Sequence, residues 1–255
     1  MKKTFIILFL LFSTLEISFA EESLDFSKIK IGDDAKHFVR QAFDYWRGKT
    51  SILESKMKVV RPDWQREFEL SSWTSGNDHS LVRFSAPIKD AGNATLTLKQ
   101  KIWSYNPKTR RVIKIPPSMK AQSWMGSDFS YQDLAREDEV VTDYSHKVIE
   151  QSKDKLVVES TPNESAPVVW GKEVITIGSN KILLQLDFYD QDDKLVKTFK
   201  TEKVGIIGNR LFPVLVKMTK IEEDNSWTEM SYENAKFDVE IPKQIFSVSR
   251  LQNSK

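Results

Sequence analysis

The sequence predicts a mainly β (α+β) fold built on an open, strongly bent antiparallel sheet, with helices covering its concave side. Three observations point there. Segments of five to twelve residues with period-two alternation recur along most of the chain, separated by turn residues. Helical periodicity is confined to a stretch near the start and a short stretch near the middle. The strand signals are too many for a small sandwich, and their spacing suits a meander that curls on itself.

The elements follow in order. Residues 33–46 carry Ala35, Phe38, Val39, Ala42, Phe43 and Trp46 at offsets of three and four, which makes one apolar helical stripe. Gly32-Asp33-Asp34 offers a cap and negative charge at its start, and Gly48 a stop. After Gly48 the period shifts to two. Strands are expected at 51–60, 64–74, 79–85, 94–99, 101–105 and 111–115, where Pro116-Pro117 breaks the series. Ser127 or Asp128 is expected to cap a short helix through Leu134 and as far as Arg136. Strands resume at 140–151, 155–160, 181–189, 194–203, 212–222 and 226–237. The tail around Ile241-Pro242 to Phe246 reads as coil or a helical turn.

Composition narrows the class. The chain has 255 residues, so it can bury one substantial core, and 21–255 reads as a single domain. Met1-Lys2-Lys3, the apolar run from Phe5 to Phe12 and Ser18-Phe19-Ala20 make residues 1–20 a cleaved secretory signal, too short and too interrupted to span a bilayer. Export across an inner membrane into a periplasm is the expected destination. There is no cysteine, hence no disulfide framework and no thiol for an acyl anchor. The net charge is +2 with both signs interspersed, which argues against nucleic acid as a partner.

The segment from Ile102 to Leu134 is the most informative. Ile-Trp-Ser-Tyr-Asn-Pro and Arg110-Arg111-Val-Ile-Lys-Ile read as a hairpin turning at Pro107–Thr109. Trp124, Met125, Phe129 and Tyr131 then crowd into eight residues beside Gly126. Aromatic and thioether surface bordered by a few carboxylates suits holding an apolar molecule better than transforming one. This run, W-x-Y-x-P followed by R-R-V-x-x-I and M-G-S-D-F-S-Y-x-D-L, resembles the outer membrane lipoprotein-sorting protein family, part of the wider group of periplasmic Lol-pathway carriers. A weaker similarity extends over most of the chain after residue 20. The resemblance implies an incomplete β-barrel with a helical lid, a lipid or acylated lipoprotein as cargo, and an association with export machinery of the RND type.

Candidate site residues come from that segment. Trp103 and Tyr105 share one face of a strand. Trp124, Met125, Phe129 and Tyr131 lie near the expected short helix, and Met119 and Met125 bracket the chain leading into it. If the helix closes over the sheet, these side chains meet across an apolar cavity, whose walls must carry no buried unpaired polar groups. Taken singly, each tryptophan is more simply a core residue. Gly126 permits a turn that serves either as a lid hinge or as an ordinary helix entry. Arg111 and Lys114 are candidate contacts for a lipid headgroup, against the simpler view that they are exposed strand charges protecting an edge. Asp128, Asp133, Glu137, Asp138 and Glu139 read as a solvated acidic face.

Catalytic signatures do not assemble. His37, His79 and His146 fall in separate elements without metal-ligand spacing, so neither a metal nor a cofactor is expected. Gly205-x-x-Gly208 lacks the lysine and third glycine of phosphate loops, and no G-x-S-x-G elbow occurs. The expectation is a non-enzymatic periplasmic carrier or chaperone that binds acyl chains for transport towards the outer membrane. The alternative is a module whose sheet is filled by its own side chains and whose 128–139 surface docks an RND-type exporter or another envelope complex.

Overall fold

The computed structural model describes residues 23–252 apart from 136, 165 and 167. The signal expected at 1–20 lies outside the described residues. Helix α1 spans Lys36–Arg47. Six strands follow: β1 (Thr50–Arg61), β2 (Trp64–Ser75), β3 (His79–Ala86), β4 (Ala94–Leu98), β5 (Lys101–Asn106) and β6 (Arg111–Ile115). A crossing segment leads to helix α2 (Glu137–Thr142). Seven more strands complete the sheet: β7 (Tyr144–Gln151), β8 (Lys155–Pro162), β9 (Lys172–Gly178), β10 (Leu183–Tyr189), β11 (Leu195–Ile207), β12 (Arg210–Lys220) and β13 (Trp227–Phe237). Helix α3 (Val248–Gln252) ends the described chain.

All thirteen strands join one curled, unclosed sheet in the order β6-β5-β4-β3-β2-β1-β13-β12-β11-β10-β9-β8-β7. Every pair is antiparallel, so the sheet is two meanders joined at β1 and β13. Its two ends, β6 and β7, do not pair with each other. This is the incomplete barrel that the sequence predicts.

Side-chain parity decides what each face does. On β1, Ser51, Leu53, Ser55, Met57 and Val59 are buried while their neighbours are more exposed. Those odd positions point into the concave side, where the main core gathers Met57, Phe68, Phe84, Trp124, Leu156, Ile175 and Phe188. A second, smaller core lies on the opposite face of β3 to β5. There Leu81, Leu96 and Tyr105 pack against Phe246 and Leu251 of the C-terminal segment. Arg83 donates to the carbonyls of Arg250 (2.9 Å) and Leu251 (3.3 Å), which satisfies the end of α3. Burying two such side chains contributes about 1.5–3 kcal/mol each, so the tail that reads as coil or a helical turn is an outer cap on the sheet, with a 3₁₀ turn at Lys243–Ile245.

Helix α1 packs over the concave side against β7, β9 and β10. It begins at Lys36, later than the Asp33 start that the apolar stripe suggests, because residues 32–35 are used elsewhere. Gly32 N–H donates to Val148 O (2.8 Å), Val148 N–H to Asp33 O (3.0 Å) and Ala35 N–H to His146 O (3.1 Å). That short ladder covers the open edge of β7.

Three expectations are corrected. The helix expected from Ser127 to Leu134 is absent, as described below. The strand expected from Val140 starts at Tyr144, because residues 137–142 are helical. Strand β9 was not anticipated: its inward position 173 is a glutamate, fully buried, which breaks the apolar alternation on which recognition depends.

Candidate functional site

The segment between β6 and β7 joins the two ends of an open sheet, so topology sends it across the concave side. Residues 120–135 form a strap held at successive points along the strand order. Trp124 is buried at 1% exposure, with its Nε1–H donating to Thr95 Oγ1 on β4 (3.0 Å) and its ring 5.2 Å from that of Phe84. Asp128 accepts a fork from Arg61 at the end of β1, Nη2 to Oδ1 at 2.9 Å and Nη1 to Oδ2 at 3.1 Å. Thr228 on β13 donates to the same carboxylate (2.6 Å) and accepts from the Asp128 N–H (2.9 Å). Asp133 takes Lys197 Nζ of β11 at 2.7 Å, both side chains almost fully buried. The anchors therefore fall on β4, then β1 and β13, then β11.

This explains why the expected helix does not form. Residues 122–131 fold back as a tight hairpin, with Trp124 N–H donating to Phe129 O (2.8 Å) and Tyr131 N–H to Gln122 O (3.2 Å). Met125 and Gly126 sit at its tip with φ of 54° and 76°, the left-handed pair of a two-residue hairpin turn. Ser127 Oγ donates to Trp124 O (2.6 Å), and Ser130 N–H donates to the Asp133 carboxylate (2.7 Å). Serine and aspartate side chains that bond the local backbone compete with a helix ladder, and here they win. The only helical turn within the strap is a 3₁₀ turn at Gln132–Leu134. Asp128 and Asp133, expected on a solvated acidic face, are buried anchors instead.

Under the strap lies a cavity of about 210 Å³. Its walls come from Phe43 and Trp46 of α1, Leu183, Leu186 and Phe188 of β10, Phe199, Met218 and Met230 of later strands, and Trp124, Phe129 and Leu134 of the strap. Trp46 is wedged edge-on against Phe199 (5.7 Å) and Tyr232 (5.9 Å). The floor under β1 to β3 is different: Ser51, Ser55, Ser72, Thr74 and Ser80 line it, with the buried Arg47 at the end of α1. A second cavity of about 120 Å³ lies beside the strap, with Phe129 in both walls and Lys197 and Lys220 in its own.

The expected site residues separate accordingly. Trp124 and Phe129 line the main cavity. Met125 and Tyr131 are half-buried against the main core without reaching the cavity wall, and Met119 sits half-buried at a 3₁₀ turn, Pro117–Met119. Trp103 and Tyr105 face the other way: they pair across the ladder with Leu96 and Ala94 and belong to the core beneath the C-terminal segment. Parity forces this, because Ile102 and Ser104 take the concave positions opposite Thr97 and Thr95. Arg111 and Lys114 are exposed on the edge strand β6 and line neither cavity. Sequence reasoning missed the contributions of β10 to β13 and the hydroxyl floor, because it cannot say which face of a strand is concave.

Two further points bear on chemistry. His146 Nδ1 and Ser160 Oγ hydrogen-bond at 2.8 Å, but both are sealed in the core, away from either cavity. Burial pushes the His146 imidazole below its ordinary range. Among the described residues no cluster of three metal-ligating side chains occurs, and no helix is long and apolar enough to cross a membrane.

Comparison with known proteins agrees with this geometry. The chain is similar to a DUF1329 family protein from Desulfovibrio piger, with 22% identity over 86% of this chain and 99% of that one, and a TM-score of 0.76. It is similar to a putative outer membrane lipoprotein-sorting protein domain from Vibrio parahaemolyticus, 22% identical over 86% and 97% of the two chains, at a TM-score of 0.73. A LolA superfamily protein from Nitrosomonas europaea gives 20% identity, 86% and 99% coverage, and a TM-score of 0.70. No curated protein matches by sequence. A family model described as "Uncharacterized protein" matches residues 76–253. That match spans well over half of the chain, so the chain belongs to this family, and its fold is the incomplete barrel of the LolA superfamily and the outer membrane lipoprotein-sorting proteins.

Proposed function

We propose that this protein is a periplasmic carrier that takes an acyl chain of a lipid or lipoprotein into the cavity beneath the strap, for movement towards the outer membrane. The observation that carries this reading is the cavity itself: about 210 Å³ of largely apolar space between the sheet, α1 and the strap. A core with no cargo is close-packed, with few voids larger than a water. An engineered dry cavity of about 150 Å³ already admits benzene. Binding is driven by removal of methylenes from water, about 0.8 kcal/mol each. The role is non-catalytic: Asp133, the carboxylate in the cavity wall among the described residues, is held by Lys197, and the His146–Ser160 pair described above is sealed in the core. The lipoprotein and outer-membrane part of the reading rests on the fold shared with sorting proteins.

The test is native mass spectrometry with lipid extraction on protein isolated from the periplasm without detergent. A co-purifying acylated molecule, lost in Phe129→Asp, is the expected result. An apo mass that takes up no added lipid would overturn it.

A further inference from the structure

Charge is balanced over the chain but not over one end of the sheet. From Ala91 to Ser127 there is no Asp or Glu, while seven Lys and Arg residues occur. Six of them, Lys99, Lys101, Lys108, Arg110, Arg111 and Lys114, are exposed on β5, β6 and the turns before and between them. Among the described residues none of the six forms an ion pair or a side-chain hydrogen bond. Two carboxylates border this patch without joining it: Asp78 hydrogen-bonds His79, and Asp90 is half-buried in the loop before β4. The opposite edge is built differently. There Lys155 pairs with Glu150 (2.8 Å), and Lys172 with Glu159 (3.8 Å) and Asp193 (2.5 Å).

A lysine on an edge strand blunts unwanted pairing. Six uncompensated cations repel one another, and edge protection needs no such number. Apolar side chains stand among them. Ile113 on β6 is 55% exposed between Arg111 and Lys114, and Ile88 in the loop joining β3 to β4 is 96% exposed. That loop lies against the β5–β6 turn: a Cβ on Gly92 would stand 3.3 Å from the Pro107 ring. Strand β5 spans about 20 Å, so cations at both of its turns can reach one flat surface. Phosphates facing the cations and acyl chains receiving the isoleucines describe the boundary of an anionic bilayer. A purely acidic protein partner would satisfy the cations but hold Ile88 and Ile113 against polar surface. Connectivity adds a reason: β6, the last strand of the sheet, runs through the 3₁₀ turn Pro117–Met119 directly into the strap. A membrane at this edge lies beside the root of the segment that covers the cavity.

We infer that the β4–β6 end of the sheet docks the protein on the phosphate surface of an anionic lipid bilayer, with Ile88 and Ile113 entering the headgroup boundary. Docking and cargo uptake use separate surfaces, so the two can fail separately.

The test is co-sedimentation of the protein with phosphatidylcholine vesicles, with and without an equal part of phosphatidylglycerol. Binding is expected on the anionic vesicles only, and to be lost at about 1 M salt, where the screening length is about 3 Å. Lys108→Gln/Arg110→Asn/Arg111→Gln should weaken it about a hundredfold, at roughly fivefold for each cation beside an anionic surface. Asparagine keeps the left-handed backbone of residue 110, at φ 53°. Ile88→Ser/Ile113→Thr, with charge unchanged, should weaken it about tenfold. Lys147→Gln/Lys153→Gln/Lys155→Gln removes equal charge from the β7–β8 edge and should bind as the unaltered protein does. All these side chains are on the surface, and an unchanged Tm verifies each fold. No affinity for anionic vesicles, an affinity that the β5–β6 variant leaves intact, or an equal loss in the β7–β8 variant would overturn the docking surface. Fatty-acid uptake into the cavity, read on the same samples by dye displacement, would still stand. Vesicle binding without such uptake would support docking and overturn the cargo reading instead.

Discussion

Lengthening the cargo one methylene at a time measures the cavity from inside. Its volume is about 210 Å³. Counted at about the 30 Å³ that a water occupies in the liquid, a methylene takes one-seventh of that, so the space holds roughly seven. Each buried methylene adds about 0.8 kcal/mol, or roughly fourfold in Kd. From four carbons to eight, the dissociation constant of a straight-chain fatty acid should fall about two hundredfold. Beyond roughly eight carbons the added methylenes lie in the mouth or require the strap to move, and the slope flattens. Leu186→Ala provides the control. Leu186 is 5% exposed in the cavity wall, and its truncation removes three carbons. The break in slope should move about three carbons longer, with a loss of about 2–5 kcal/mol in stability of the empty protein. Dye displacement across the series reads the affinities, and thermal unfolding reads the stability. A slope unbroken through twelve carbons, or a break that stays put in Leu186→Ala, would show that this cavity does not bound the ligand.

Other predictions concern the strap and the core around it. Asp128→Asn leaves Arg61 as an uncompensated, largely buried cation, and should cost about 3–5 kcal/mol, a fall in Tm on the order of 10 °C. Arg61→Met combined with Asp128→Leu should recover most of that, and no recovery would show that the pair does more than balance charge. His146 is held below its ordinary value of 6.5 by burial, so its neutral form is the one the fold accepts. The folded state thus binds this proton less readily than the unfolded chain, and stability should be full above pH 6.5 and decline as pH falls below it. His146→Asn should flatten that decline in denaturant titrations between pH 7 and 5. At Gly171 a Cβ would lie 2.2 Å from the Asp190 carbonyl oxygen, so Gly171→Ala should cost about 1–3 kcal/mol and lower Tm by several degrees. An unchanged Tm there would mean that the loop before β9 shifts freely.

The sheet was legible because its strands alternate. Ile182, Leu184, Leu186 and Phe188 read as one face, but a bulge between Leu183 and Gln185 interrupts the alternation, and Leu183, not Leu184, joins Leu186 and Phe188 in the cavity wall. What alternation cannot supply is the sign of the face. Trp103 and Tyr105 were sound as a pair on one side of β5, but only the sheet's curvature assigns that side to the C-terminal segment. The strap misled for another reason. Ser127-Asp128 reads as a helix cap because capping depends on local sequence, whereas Arg61 and Thr228, which take the Asp128 carboxylate, lie 67 and 100 residues away. Glu173 hid β9 in the same way, by placing a carboxylate where the pattern requires an apolar residue. Trp124 and Phe129 could be found from sequence because aromatic density is itself a local property.

The pairing of β1 with β13 sets an order of assembly. These strands share ten residue pairs in the middle of the sheet, yet lie at opposite ends of the chain. Each meander is a run of hairpins that can form as soon as its strands exist, but the seam between the two waits for the last strand. Until then, both halves present an unpaired central edge and an open apolar face. A chain built this way has a high contact order, folds slowly for its size, and is most vulnerable to aggregation just before completion. Truncation before Trp227 should therefore leave a sheet with two sticky inner edges, and not merely a shorter protein.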